Sequence, residues 1–303
     1  MQSTIPPVHC SHIAMKTSQF IVALTISLSL PLIGNAELRD WTNATGKTIS
    51  AELLSVEGED ITLKMDNGRQ YTLPLNSLSE ADAAFARHWQ AELEAIASAP
   101  KPSSEPLMTI PGKVIYQTDF TEIDSEWKAN IGDWSASDDG LSGVEVADDD
   151  HGGVMKRALT LKNVIVEYQV MLGDTKGTAF GFDNNDHIAR VSLSPAGFSA
   201  QKDDNDHEGP DAAKPFNKIA EEMATDEWHT IRIELLGEEM LAQTGEHISM
   251  GADPLLAADK TKWGFVVSGG PVSIRNLTVW EALPNDTWEQ TRDRLKRKLD
   301  IED

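Results

Sequence analysis

Alternation of apolar and polar positions dominates the chain from Thr48 onward. Thr48 to Val56 reads as a strand, and Ile61, Leu63 and Met65 line one face of a second. Asp66-Asn67-Gly68 between them and Gln70–Leu73 is a hairpin signal, because Asn-Gly tolerates the positive φ of a type I′ turn. Pro74 ends the returning strand. Ser79, three residues before Asp82, has the form of a capping box. The helix it starts, Ala81 to Ala97, carries Phe85, Trp89, Leu93 and Ile96 at spacings that make one apolar face.

The pattern then breaks. Residues 99–113 are rich in Pro and Ser and read as an extended, semi-rigid spacer between two modules. Beyond it β-type runs return at short spacing: Asn163–Leu172, Thr178–Phe182, His187–Leu193, Gly197–Gln201, Trp228–Leu236, Trp263–Ser268 and Val272–Trp280. In Trp228–Leu236, His229, Ile231, Ile233 and Leu235 face one way, with Thr230, Arg232 and Glu234 opposite. Many short strands with few helical patterns predict a β-sandwich or jelly roll over 114–283. A charged segment, 284–303, predicts a last helix from near Asp286 with Trp288, Leu295 and Leu299 on one side. Its basic run Arg292 to Lys298 is expected to dock on the chain's own acidic domain.

Ahead of all this, Met15-Lys16, an apolar run from Phe20 to Ile33 and the small residues Gly34-Asn35-Ala36 have the layout of a secretory signal peptide over 1–36. The run is too short and too interrupted to span a bilayer. Cleavage would leave 267 of the 303 residues and remove Cys10, the single cysteine. Disulfides, thiolate nucleophiles and Cys-based zinc sites are then excluded. The expected location is periplasmic or secreted, with no transmembrane segment in the mature chain.

Charge sharpens the picture. The whole chain has 26 Lys and Arg against 49 Asp and Glu, a net of −23. Residues 37–98 carry −6, whereas Val114–Leu283, with 13 basic and 31 acidic residues, carry −18. That balance argues against a nucleic-acid partner, which demands clustered Lys and Arg.

Two stretches resemble known families. Arg39-Asp40-Trp41-Thr42, Gly46-Lys47 and Leu73-Pro74-Leu75-Asn76-Ser77-Leu78-Ser79-Glu80-Ala81-Asp82 resemble the Sla homology domain, first described in a yeast endocytic adaptor. The resemblance implies a small SH3-like barrel over 37–98, including the trailing helix. It also implies a module that binds a peptide or protein, or one that is simply structural. Asp119-Phe120, Gly132-Asp133-Trp134, Gly140-Leu141-Ser142-Gly143, Glu227 to Ile233 and Val272 to Val279 look like the 3-keto-disaccharide hydrolase family and its relatives. That resemblance implies a concanavalin A-like lectin/glucanase fold. Leu241 to Gly245 stands where many of its relatives have a Trp/Leu-x-Asn-Gly hairpin.

The candidate chemistry is polar and acidic. Asp183, Asn185, His187, Arg190, Lys202 and Arg232 are candidates to line a sugar site on an open sheet face, with Phe182 or Trp228 available for stacking. Asp-His pairs at 150–151, 186–187 and 206–207 lie in acidic stretches. Asp183, Asp186, Asp203 and Asp206 form a candidate Ca²⁺ set, although the spacing is not that of an EF-hand and solvated loops compete with it. Glu122-Ile-Asp124-Ser-Glu126 has the alternation of a retaining-glucanase strand, but precedes Trp127 where a loop is expected. No cofactor is required. The sequence thus predicts a mainly β, exported, two-module protein. Its sandwich binds a carbohydrate-like ligand; the rivals are a glycoside or 3-keto-glycoside hydrolase and a non-enzymatic component of the cell envelope.

Overall fold

The computed structural model describes residues 38–149, 151–204, 208–209 and 212–301. The expected leader, and Asp150, Asp206 and His207 of the Asp-His pairs, lie outside them. Among the described residues no helix is long and apolar enough to cross a membrane.

The first four strands are β1 (Arg39–Thr42), β2 (Thr48–Glu57), β3 (Asp60–Met65) and β4 (Gln70–Pro74). They form an antiparallel meander, and an Asn43–Leu78 bridge ties its end to its start. Trp41, Ala51, Leu53, Ile61 and Leu63 fill its inside. The β3–β4 turn differs from the type I′ expectation. Among its residues only Gly68 takes positive φ (80°), and the Asn67 side chain instead accepts from Arg69 N at 3.0 Å. The longer four-residue loop lets one glycine absorb the reversal.

Helix α1 (Glu80–Ser98) is capped by Ser79, whose side chain accepts from Asp82 N. Of the face read from Phe85, Trp89, Leu93 and Ile96, Trp89 packs against the core and Leu93 and Ile96 are half-buried, but the deepest contacts are made by smaller residues. Asp82, Ala83 and Ala86 are buried, while Phe85 is 41% exposed. Small side chains let the helix approach closely. Asp82 fixes it by accepting from Arg39 (2.6 Å) and Thr42 N (2.8 Å). Phe85 stands edge-on to Trp41, under the Arg39 guanidinium.

Fifteen further strands build a two-layer sandwich. They are β5 (Thr109–Thr118), β6 (Trp127–Ile131), β7 (Asp133–Ser137), β8 (Gly140–Val144), β9 (Gly153–Leu161), β10 (Val164–Met171), β11 (Thr175–Asp183) and β12 (His187–Ser194). Then come β13 (Gly197–Lys202), β14 (Lys214–Ile219), β15 (His229–Leu236), β16 (Glu239–Thr244), β17 (His247–Ala252), β18 (Lys260–Gly269) and β19 (Val272–Pro284). One sheet runs β17-β16-β15-β10-β19-β8-β7, with β5 also on β19; the other runs β14-β13-β12-β11-β18-β9-β6. Val166, Tyr168, Ile233 and Val279 of the first interdigitate with Phe180, Phe182, Val191 and Phe265 of the second. At one edge Ser249 and Asn217 stitch the layers: Ser249 accepts from Ala200 N and donates to Asn217 O, and Asn217 pairs with Ile248 and Met250 backbone.

Residues 99–113 are not a free spacer. From Thr109 they already belong to β5, and before it the chain lies across the outer face of the eight-stranded sheet. Trp280 donates to Pro100 O, Glu167 accepts from Ser103, and Arg232 donates to Ser104. The Glu234 carboxylate accepts from Leu107 N, Met108 N, Thr109 N and Thr109 Oγ1, all within 2.9 Å. Polar residues on the outward parity of β15 are therefore buried. Helix α2 (Trp288–Leu299) covers the β16–β17 part of that face in cis, burying Trp288 and Leu295 against Leu241, Ile248 and Met250. Of its basic run, Arg292 meets Glu239 at 3.2 Å.

Candidate functional site on the outer face of the seven-stranded sheet

The seven-stranded sheet leaves its outer face uncovered by α2 or the linker. Register places Lys156, Gly264, Gly181, Arg190 and Gln201 in one row across β9, β18, β11, β12 and β13. Two glycines in the middle of that row have a steric purpose. A Cβ at Gly181 would sit 2.8 Å from Lys156 Nζ. Gly264, at φ +153°, would drive a Cβ to 2.2 Å from Met155 O. The Lys156 chain thus crosses bare backbone to reach Asp183 Oδ2 at 2.9 Å. Asp183 holds His187 Nδ1 at 3.0 Å with its other oxygen. One step along, Arg190 Nε donates to both oxygens of Asp203, at 2.8 and 3.0 Å, and Gln201 donates to the same carboxylate at 2.7 Å. Asp203 is 2% exposed and is placed by its own N–H to Ile188 O.

The consequence is a positioned guanidinium. Arg190 is anchored through Nε, its side chain is 44% exposed, and its two terminal nitrogens have no protein partner among the described residues. Such a fork presents parallel donors to a carboxylate or to vicinal hydroxyls.

The sequence candidates divide. Asp183, His187 and Arg190 come together here. Asn185 and Asp186 are exposed in the β11–β12 turn. Lys202 falls on the inward parity beside Ala200, with Nζ near Ala212 O at 3.2 Å. Arg232 is on the other sheet, 3% exposed and bound to Ser104 and Gln243. It belongs to the linker's seat. Phe182 is core, and Trp228 lies under the Arg275 guanidinium, so neither stands over this face. Lys156, Gln201 and the two glycines were not singled out. Glycines inside strand patterns were the available signal, since they mark a close approach.

Two of the four proposed Ca²⁺ carboxylates are engaged otherwise. Asp183 faces Lys156 and His187, Asp203 faces Arg190, and Asp206 is outside the described residues. Among the described residues no group of three or more His, Cys, Asp or Glu is arranged to hold a metal. Glu122–Glu126 is a bend followed by a turn, not a strand, so strand alternation does not set its carboxylates on one face. Burial alone would push the Asp124 carboxyl up, but donation from Arg157, Glu126 N and Tyr116 outweighs it and holds the group below its ordinary range.

No protein-family model and no curated protein matches the chain. Among solved structures it is similar to the carbohydrate-binding module CBM66 from Bacillus subtilis, at 11% identity and TM-score 0.43 over 52% of this chain and 96% of that one. It is also similar to the GlcNAcα1-4Gal-releasing endo-β-galactosidase from Clostridium perfringens, at 10% identity and TM-score 0.44 over 60% and 65%. A third likeness is to botulinum neurotoxin type C, described with two ganglioside molecules, at 9% identity and TM-score 0.41 over 59% of this chain and 51% of that one. Identities this low assign no role to any residue here.

Proposed function

We propose that the sandwich is a carbohydrate-binding domain whose site is the outer face of the seven-stranded sheet. The observation that carries this reading is the immobilised Arg190, its terminal nitrogens open beside the Lys156–Asp183–His187 network. Sugars are bound by fixed, planar hydrogen-bonding groups, and this row supplies a guanidinium, an amide, a carboxylate and an imidazole. The leader-like residues 1–36 support export, so the ligand would be a periplasmic or extracellular glycan. The likeness of residues 37–98 to the Sla homology domain supports a second, peptide- or protein-binding role for the barrel.

Glycan-array binding of the chain, compared with Asp183→Ala, tests the reading. Binding by the parent and its loss in the variant, which circular dichroism shows to be still folded, is the expected result. An array on which the folded parent binds nothing overturns it.

A further inference from the structure

The basic residues of the sandwich are not scattered. Ten of the 13 Lys and Arg in Val114–Leu283 lie in the seven strands β6, β9, β11, β12, β13, β14 and β18; of the 31 Asp and Glu, only Asp183 does. The strands of the other sheet hold three basic and five acidic residues. A domain of net charge −18 therefore concentrates positive charge on one sheet.

Not all ten reach the outer face. Lys260 and Lys202 are buried, and Arg157 lies over the Tyr116 ring with Asp124. Register places Lys128, Lys156, Arg190, Lys218 and Lys262 outward. Lys128, Lys218 and Lys262 are exposed. The two carboxylates on this face, Asp183 and Asp203, are already matched by Lys156 and Arg190. Lys218 and Lys262 have no ion partner among the described residues.

The outward positions of these strands carry no aromatic side chain, so a sugar ring finds nothing to stack on. Affinity must come from charge and hydrogen bonds. Across the strands, Lys218 on β14 and Lys262 on β18 are four spacings apart, about 19 Å, and register offsets them by four residues, so Arg190 lies between them on a diagonal. That span exceeds one sugar ring.

We propose that this face binds an acidic polysaccharide, a polymer of uronate residues. One ring carboxylate meets the terminal nitrogens of Arg190, and flanking carboxylates meet Lys218 and Lys262. The proposal rests on the glycan-binding reading and names its ligand class. A planar carboxylate suits the guanidinium fork. The acidic loops elsewhere on the domain would orient such a chain along the basic face.

The probe is polygalacturonate, with the same polymer fully methyl-esterified as its uncharged counterpart, in affinity electrophoresis and calorimetry at low and high salt. The parent is expected to bind the acid form, to lose it with added salt, and to ignore the ester. The exposed pair Lys218→Glu/Lys262→Glu, which disturbs no packing, should bind at least about tenfold more weakly, and Arg190→Lys should weaken binding again. Equal binding of ester and acid overturns the acidic-ligand proposal while leaving the glycan reading standing. Binding of no glycan on the array removes both. Equal affinity for a single-stranded oligodeoxynucleotide also overturns the proposal, since the face would then select polyanions of any kind.

Discussion

Glu234→Ala is the perturbation with the largest structural consequence. The Glu234 carboxylate is 0% exposed and accepts four hydrogen bonds from three consecutive linker residues, with Arg232 Nε 3.5 Å away. A hydrogen bond to a charged group contributes about 1.5–3 kcal/mol, and each buried donor left without an acceptor costs about 1–3 kcal/mol. These do not add, because the linker can peel away and let water reach its N–H groups. Removal of one member of a buried charged network typically costs about 3–5 kcal/mol, and a loss of about 4 kcal/mol is expected here. Urea unfolding followed by Trp fluorescence measures it. Thermolysin supplies a local readout: the variant should be cut between Pro106 and Met108, where the parent is protected. Glu234→Gln keeps one acceptor but faces its own N–H₂ toward donors, so about half the loss is expected. A variant within 1 kcal/mol of the parent, cut no faster, would refute the account of the linker as a seated element.

Three other outcomes follow. Burial lowers the Lys260 ammonium from 10.5 to about 8, which corresponds to about 3 kcal/mol against the charged folded form. The unfolded chain then holds that proton more tightly, so stability relative to Lys260→Met should rise between pH 8 and pH 10.5; a difference flat with pH in urea titrations refutes it. Gly264→Ala meets both a positive φ and Met155 O, and should cost about 3 kcal/mol or more in thermal unfolding while releasing Lys156 from Asp183. Trp288→Ala should cost about 3 kcal/mol and free α2 for hydrogen exchange, which intact protection in that helix would contradict.

Much of the fold was legible because strand alternation reports burial directly. Val164, Val166, Tyr168 and Val170 read as one buried row and are one. Helix α1 was legible in extent and only in part in docking, where Trp89 packs as read. Periodicity weights large apolar residues, whereas Ala83 and Ala86 bury because they are small and Asp82 because it is bonded. Strands β6, β7 and β8 are five residues each with few apolar positions, and they are not read from the pattern, nor are β5, β9, β14, β16 and β17. β6 pairs with β9 and β8 with β19, partners distant in sequence that local propensity does not report.

Arg190 and Arg232 show where the site signal stops. Each is a lone basic residue on the outward parity of an apolar strand, and the local sequence does not distinguish them. Their fates differ because of what covers each sheet. Over β15 the linker and α2 close down, and Arg232 is consumed by Ser104 and Gln243. Among the described residues no such element lies over β12; Asp203 takes only Nε, and the rest of the Arg190 guanidinium is left to solvent. The sequence feature that decides the matter is remote from both arginines. Trp280, Glu167 and Glu234 capture residues 100–109, and that capture is what makes the opposite sheet the one with an open polar face.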